Sequence, residues 1–432
     1  MIASTLRRPL GASSRRAAAL VVLAALAALA TLAACKKPTP DERVFVGGDR
    51  GGGPIAAVDA SAPAPFDGGA PSATFTAPSF LGAVANCAAE RVDAFALSAD
   101  ALVRALEVSA DAAAPADPKV AWRQAFDALQ EVEVFGLGPY AHAPAAGGEG
   151  LRDEIYPWPL VSRCRIEEQL VAKAYEGPGF RETLVNGRGL SAVEFLLFSQ
   201  DRANACSSFS TINANGTWAA LPAAELDARR LAYARAAAAD VAGRARALGA
   251  SWAPNAANFR AAFATAGAGS ALFATESSAL NALTDAVIYV DESVKDWKLG
   301  KVAGFFECAT GTCPGAVEAP YARASKEAIV ANLRATRRIV QGCGREYEGL
   351  GVDDWLASKG AGDLAARLLG ALVAAQTAVD ALDGPVDDVL GRDPTKVAQA
   401  HANVKAFTAL WKAEALPALT MSLPTSAQGD ND

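Results

Sequence analysis

The chain has 432 residues, 51% hydrophobic and 20% charged, with a formal net charge of −7. That length is ample for a buried core and leaves room for two domains, while the acidic balance excludes a nucleic-acid partner and a broadly cationic, membrane-adhesive surface. Alanine-rich stretches free of Gly and Pro favour helix, because alanine loses no side-chain entropy when a helix forms.

At the N-terminus, Arg7, Arg8, Arg15 and Arg16 precede an apolar run from Ala17 to Ala34 that ends in Leu32-Ala33-Ala34-Cys35. A basic start, a short apolar segment and a small-residue cleavage site describe a secretory signal, and a cysteine directly after Leu-Ala-Ala completes a bacterial lipobox. Its thiol is the expected lipidation point, so the first partner implied is a membrane, reached through a lipid anchor. The alternative is an uncleaved membrane-spanning anchor, since the run is near the minimum spanning length. Ser14-Arg15-Arg16 has a slight twin-arginine character. Residues 1–34 are removed in the lipoprotein reading, leaving 36 bases against 47 acids, a net of −11. Lys36 and Lys37 follow the cysteine, with no Asp to signal inner-membrane retention, which favours the outer membrane. From Pro38 to about Ser79, Gly, Pro, Ala and Asp without helical period read as a disordered tether (35–78 including the lipidated cysteine).

The six later cysteines are Cys87, Cys164, Cys206, Cys308, Cys313 and Cys343, an even count that suits disulfides in an oxidising compartment. Cys308 and Cys313 flank a short Ala-Thr-Gly-Thr loop and are the one specific pairing expected; a zinc half-site is the alternative.

Beyond Ser79 the pattern is helical. Helices are expected over 80–110, 119–134, 161–175, 222–248, 271–297 and 394–416. Ile329, Leu333, Thr336 and Val340 keep helical spacing before Gly342, as do Leu364, Leu368, Leu372, Val379 and Leu382 before Gly384-Pro385. No sustained two-residue alternation suggests a strand. The expected fold class is therefore all-α, built as two helical bundles of residues 79–250 and 251–425, divided where Gly249 to Pro254 interrupts a long helix.

Within the first bundle, Arg188-Gly189-Leu190-Ser191-Ala192-Val193-Glu194-Phe195-Leu196-Leu197-Phe198 is the most informative stretch. Gly189 is expected to open a helix that is apolar nearly all round, with Ser191 and Glu194 on one face. A carboxylate buried there must be ion-paired, metal-bound, or protonated and hydrogen-bonded. Arg188 is the nearby candidate partner; capping of a neighbouring helix is another.

This stretch resembles the G-x-H-x-x-E motif of the imelysin family, a family catalogued among metallopeptidases. Other blocks agree in order: Trp122 through Phe135-Gly136-Leu137-Gly138-Pro139, Tyr156-Pro157-Trp158-Pro159, Asp296-Trp297-Lys298-Leu299-Gly300-Lys301, and Glu318-Ala319-Pro320-Tyr321. Together they span about residues 80–420. The resemblance implies two helical bundles with the motif helix lining a site, periplasmic or surface placement, a divalent metal or iron as cofactor, and metal-uptake proteins as partners.

The chain departs from the motif at one point: Ser191 stands where the family has histidine. A hydroxyl is a poor transition-metal ligand, whereas neutral imidazole is a good one. Only His142 and His401 exist, and no H-E-x-x-H occurs. His142 follows the F-G-P turn and is the one histidine that could approach the motif in space, a surface-loop histidine being the commoner explanation; His401 is expected to be solvated near the start of the last helix. Ser191 lacks the G-x-S-x-G setting of a nucleophile. Glu194 remains a candidate ligand for a hard cation. The expected function is a lipid-anchored, non-catalytic binding protein linked to iron or metal uptake; the alternatives are a metallopeptidase and an interaction scaffold that has lost its site.

Overall fold

The structure is a computed structural model and describes residues 75–107, 117–424 and 427. Cys35, the apolar run before it and most of the expected tether lie outside the described residues. The described residues belong to one compact unit, Gly69–Asp432, and among them every regular element is helical. None of these helices is long and apolar enough to cross a membrane.

The first helix, Ala77–Glu107, buries Phe80, Leu81, Val84, Ala88, Val92, Phe95, Ala99, Leu102 and Leu106, a stripe that repeats every three or four residues. It packs on Pro118–Val134 and on the long helix Ala223–Trp252. Asp117 starts Pro118–Val134: its side chain accepts from the Lys119 amide, and Pro118 occupies the first turn, where its missing N–H costs nothing. The motif helix, Gly189–Phe198, lies between the long helix and Pro118–Val134. A second group comprises Ser325–Gln341, Gly362–Asp380 and Pro394–Leu410. Pro118–Val134 packs directly on Ser325–Gln341, so helices on the two sides of residue 250 are in contact, with Asn332 bonded to Gln130 and with Arg334 and Arg338 paired to Glu131 across the seam.

Most expected helices form within a few residues of their reading. The long helix continues through Gly249 to Trp252, because Pro254 rather than the glycine ends it. The expected helix 271–297 is instead two pieces. A Thr275–Ser278 capping box starts Glu276–Val287, and a wider, π-helical stretch follows over Val290–Lys301. Such wide turns frequently accompany functional sites.

Among the described residues three disulfides staple the fold: Cys308–Cys313 as expected, together with Cys87–Cys343 and Cys164–Cys206. Cys87–Cys343 ties the first helix to the end of Ser325–Gln341, across 256 residues of sequence.

Candidate functional site

The motif helix begins at a backbone corner that only glycine satisfies. Gly189 has φ +76°, and a Cβ there would meet the Ile155 carbonyl oxygen at 2.7 Å and Pro157 Cδ at 2.9 Å. Arg188, just outside the helix, is 3% exposed but does not reach Glu194. Its guanidinium donates to the Glu154 carboxylate, to Asp240 Oδ2 at 3.4 Å and to the Thr183 carbonyl at 2.9 Å. The expected Arg188–Glu194 pairing is thus corrected. Arg188 clamps the approach to the motif helix onto Leu151–Ile155 and onto the long helix, because Asp240 is a buried charge that needs a partner there. Trp122 Nε1 donates to the Leu190 carbonyl at 3.0 Å and fixes the other side of the first turn.

Glu194, 3% exposed, is held by backbone rather than by a cation. Its Oε1 accepts from the amides of Tyr321 at 2.8 Å and Ala322 at 2.9 Å. Burial pushes its carboxyl up to about 7, although these two amides and Arg123 pull the other way. Arg123 also donates to the Ala322 carbonyl, so it holds the same turn. Ser191, one turn earlier on the same face, is 4% exposed, and no protein group hydrogen-bonds its Oγ.

Both side chains open into a cavity of about 310 Å³. Its walls come from four of the sequence blocks: Trp158 and Pro159, Ser191 and Glu194, Trp297 and Lys301, and Ala319 to Tyr321. Four segments far apart in the chain therefore converge on one hollow. Ala319 adopts φ +49° while 1% exposed, a left-handed conformation that is strained for a residue with a Cβ and that marks functional positions more often than ordinary ones. Arg163 also lines the cavity, and it carried no sequence signal. It heads the helix Arg163–Ala172, pairs with Glu167 and Asp201 at 2.8 Å each, and lies 5.3 Å over the Phe195 ring.

His142 does not line this cavity. It borders a neighbouring one of about 360 Å³ that shares only Trp158, Pro159 and Trp297 with the first, and its Nε2 lies 3.7 Å from Asp153 Oδ1. His401 sits in the middle of Pro394–Leu410 rather than near its start. It is half-buried, with its ring 4.7 Å from that of Phe305, because the loop after Lys301 folds over it.

Lys298, whose Nζ lies 5.8 Å from the ring of Trp158 in the cavity wall, forms a buried polar knot. Its Nζ pairs with Glu318 Oε2 at 2.7 Å and donates to Gln130 Oε1 and Asn332 Oδ1, both at 2.7 Å. Gln130 in turn donates to Glu318 Oε1 at 3.0 Å, and Asn332 to the Gln130 carbonyl at 2.7 Å. Burial lowers the Lys298 pKa, and Glu318 and Glu133 oppose that shift. Glu318 lies three residues before Tyr321, so this knot fixes the turn whose amides hold Glu194.

The donor set does not suit a resident transition metal. Such an ion needs three or four N, S or O ligands. Here one carboxyl oxygen is already taken by two amides, the imidazole position is a hydroxyl, and two cationic side chains face the same space. Among the described residues, the ligand atoms that do cluster are those of Cys164, Glu168 and Cys206, and a disulfide removes both thiolates from that set.

Comparison with known proteins identifies the relatives of this fold. The family model described as Imelysin matches residues 85–415. An imelysin-like protein from Psychrobacter arcticum 273-4 superposes with a TM-score of 0.59 at 16% identity, covering 82% of this chain and all 100% of its own. A protein described as an iron-regulated protein A precursor, from Parabacteroides distasonis ATCC 8503, gives a TM-score of 0.58 at 15% identity and covers 80% of this chain and 95% of its own. None of the curated proteins compared with the chain matches it. With the family's blocks meeting around Glu194 and its model spanning nearly the whole folded body, the chain belongs to the imelysin family.

Proposed function

We infer that this protein is an exported, lipid-anchored binding protein of the outer membrane, facing the periplasm or the cell surface, that serves iron or metal uptake without peptidase chemistry. The observation that carries this reading is the Glu194 cavity, enclosed enough to hold a small molecule yet with Ser191 in place of the family's imidazole. The lipobox at Cys35 supports the anchor, and the iron-regulated description of the Parabacteroides protein supports the link to iron. The metallopeptidase alternative draws on the family's catalogue name and on the Glu194 carboxyl, whose value of about 7 is the range of a general base.

The deciding experiment is elemental analysis of the purified full chain after exposure to iron, zinc and calcium, alongside casein digestion. Wild type is expected to hold no stoichiometric metal and to leave casein intact. Stoichiometric zinc with digestion abolished by Glu194→Gln would overturn the reading. For the anchor, Cys35→Ala is expected to move the protein from the membrane fraction to the soluble one; retention in the membrane would point to an uncleaved span.

A further inference from the structure

We propose that the Glu194 cavity binds a small planar organic anion, an aromatic carboxylate of about one ring. The inference rests on the binding-protein reading and names the class of ligand for that same site.

Ser191 supplies the first argument. A hydroxyl only 4% exposed, with no hydrogen-bond partner from the protein, is costly to leave unpaired, and here it faces a hollow. A ligand oxygen or N–H would satisfy it. The walls supply the second. Trp158, Trp297, Phe195 and Tyr321 present aromatic surface, with Phe195 and Tyr321 edge to face at 5.0 Å between centroids. Flat aromatic walls favour a flat ligand. At about 310 Å³ the space is at the small end of ligand cavities.

Charge chooses between an anion and a cation. Arg163 lies against Phe195, but Glu167 and Asp201, at 2.8 Å each, already match its charge. Lys301 is the cation that counts: its Nζ lies 4.1 Å from the Trp297 ring centroid, where the ring quadrupole holds it at the wall. The opposing carboxyl, Glu194, has an oxygen bound by two amides that absorb its charge. Lys301 reaches one further carboxylate, Glu307 at 3.1 Å, which is 67% exposed and screened by solvent. An entering cation would meet the like charge of Lys301; an entering anion meets an opposite one.

Ligand-observed fluorine NMR on the purified full chain tests this with two probes of one shape and opposite charge, 4-fluorobenzoate and 4-fluorobenzylammonium. The benzoate is expected to bind at least tenfold more tightly. Lys301→Glu, at a partly exposed position, should weaken benzoate at least fivefold while leaving the ammonium unchanged or tighter. Ser191→Phe should fill the cavity and abolish binding, with circular dichroism confirming the fold; if that variant does not fold, Lys301→Glu decides alone. No benzoate binding at millimolar concentration, equal affinity for both probes, or benzoate affinity unchanged in Lys301→Glu would each overturn the proposal. Ammonium binding that Ser191→Phe abolishes would refute the anion while leaving a binding protein. Absence of both probes together with zinc-dependent casein digestion would refute both readings.

Discussion

Replacing Glu194 by glutamine tests whether desolvation governs this side chain. Glutamine keeps a carbonyl oxygen for the Tyr321 and Ala322 amides but cannot ionise. In the folded protein, burial raises the Glu194 carboxyl from 4.5 to about 7, with the two amides and Arg123 offsetting part of the effect. Because the folded state holds this proton more tightly than the unfolded chain, the associated stability is fully present below pH 4.5. It is lost as pH rises through about 7. At about 1.4 kcal/mol per pH unit, the gap between 4.5 and about 7 amounts to about 3 kcal/mol. Urea denaturation of wild type and Glu194→Gln from pH 4.5 to pH 8 isolates the term, since all other titrations are common to both. The variant's stability relative to wild type should grow by about 3 kcal/mol across that range. A difference that stays flat, or that shrinks with pH, would mean that Glu194 ionises as an ordinary carboxylate and that the amides outweigh burial.

Four further outcomes follow from the packing, each read by urea denaturation. Gly189→Ala should cost about 3 kcal/mol, since it adds left-handed strain to overlap with the Ile155 carbonyl and Pro157. By contrast, Gly370→Ala, in a helix with nothing within 4 Å of the new Cβ, should stabilise by ~0.5–1 kcal/mol. Lys298→Met should cost about 3–5 kcal/mol by leaving Glu318 buried without its cation, and adding Glu318→Gln should recover part of the loss. Removing Cys87–Cys343 should cost ~5.5 kcal/mol in the loop-closure picture, against ~2 kcal/mol for Cys308–Cys313, because 256 residues of chain are released rather than 5.

The buried carboxyl also explains what Ser191 changes. In a site with histidine at that position, an imidazole would stand one turn from Glu194 and offer a second ligand to a cation. With serine there, the same turn of helix leaves an unpaired hydroxyl and a carboxyl committed to the backbone. The convergence of the four blocks survives the substitution because other forces hold it. Gly189 sets the corner, Arg188 clamps the entry, and the Lys298–Glu318 knot places the turn at Tyr321.

The amino-acid sequence by itself determined the helices, most of their ends and the order of the blocks. Leu364, Leu368 and Leu372 show why: which face of a helix is buried is written in a local period, and all three are buried in Gly362–Asp380. Cys308 and Cys313 were equally legible, since a short loop brings them together. Tertiary structure alone decided who pairs with whom. Arg188 is the nearest cation to Glu194 in sequence, yet it serves Glu154 and Asp240. The partners of Glu194 are amides 127 and 128 residues away, which no local period can specify. Arg163 enters the cavity, and His142 a different one, for the same reason. A helix repeats its own geometry every few residues, whereas the meeting of four distant segments depends on how whole helices pack, and only the assembled core specifies that.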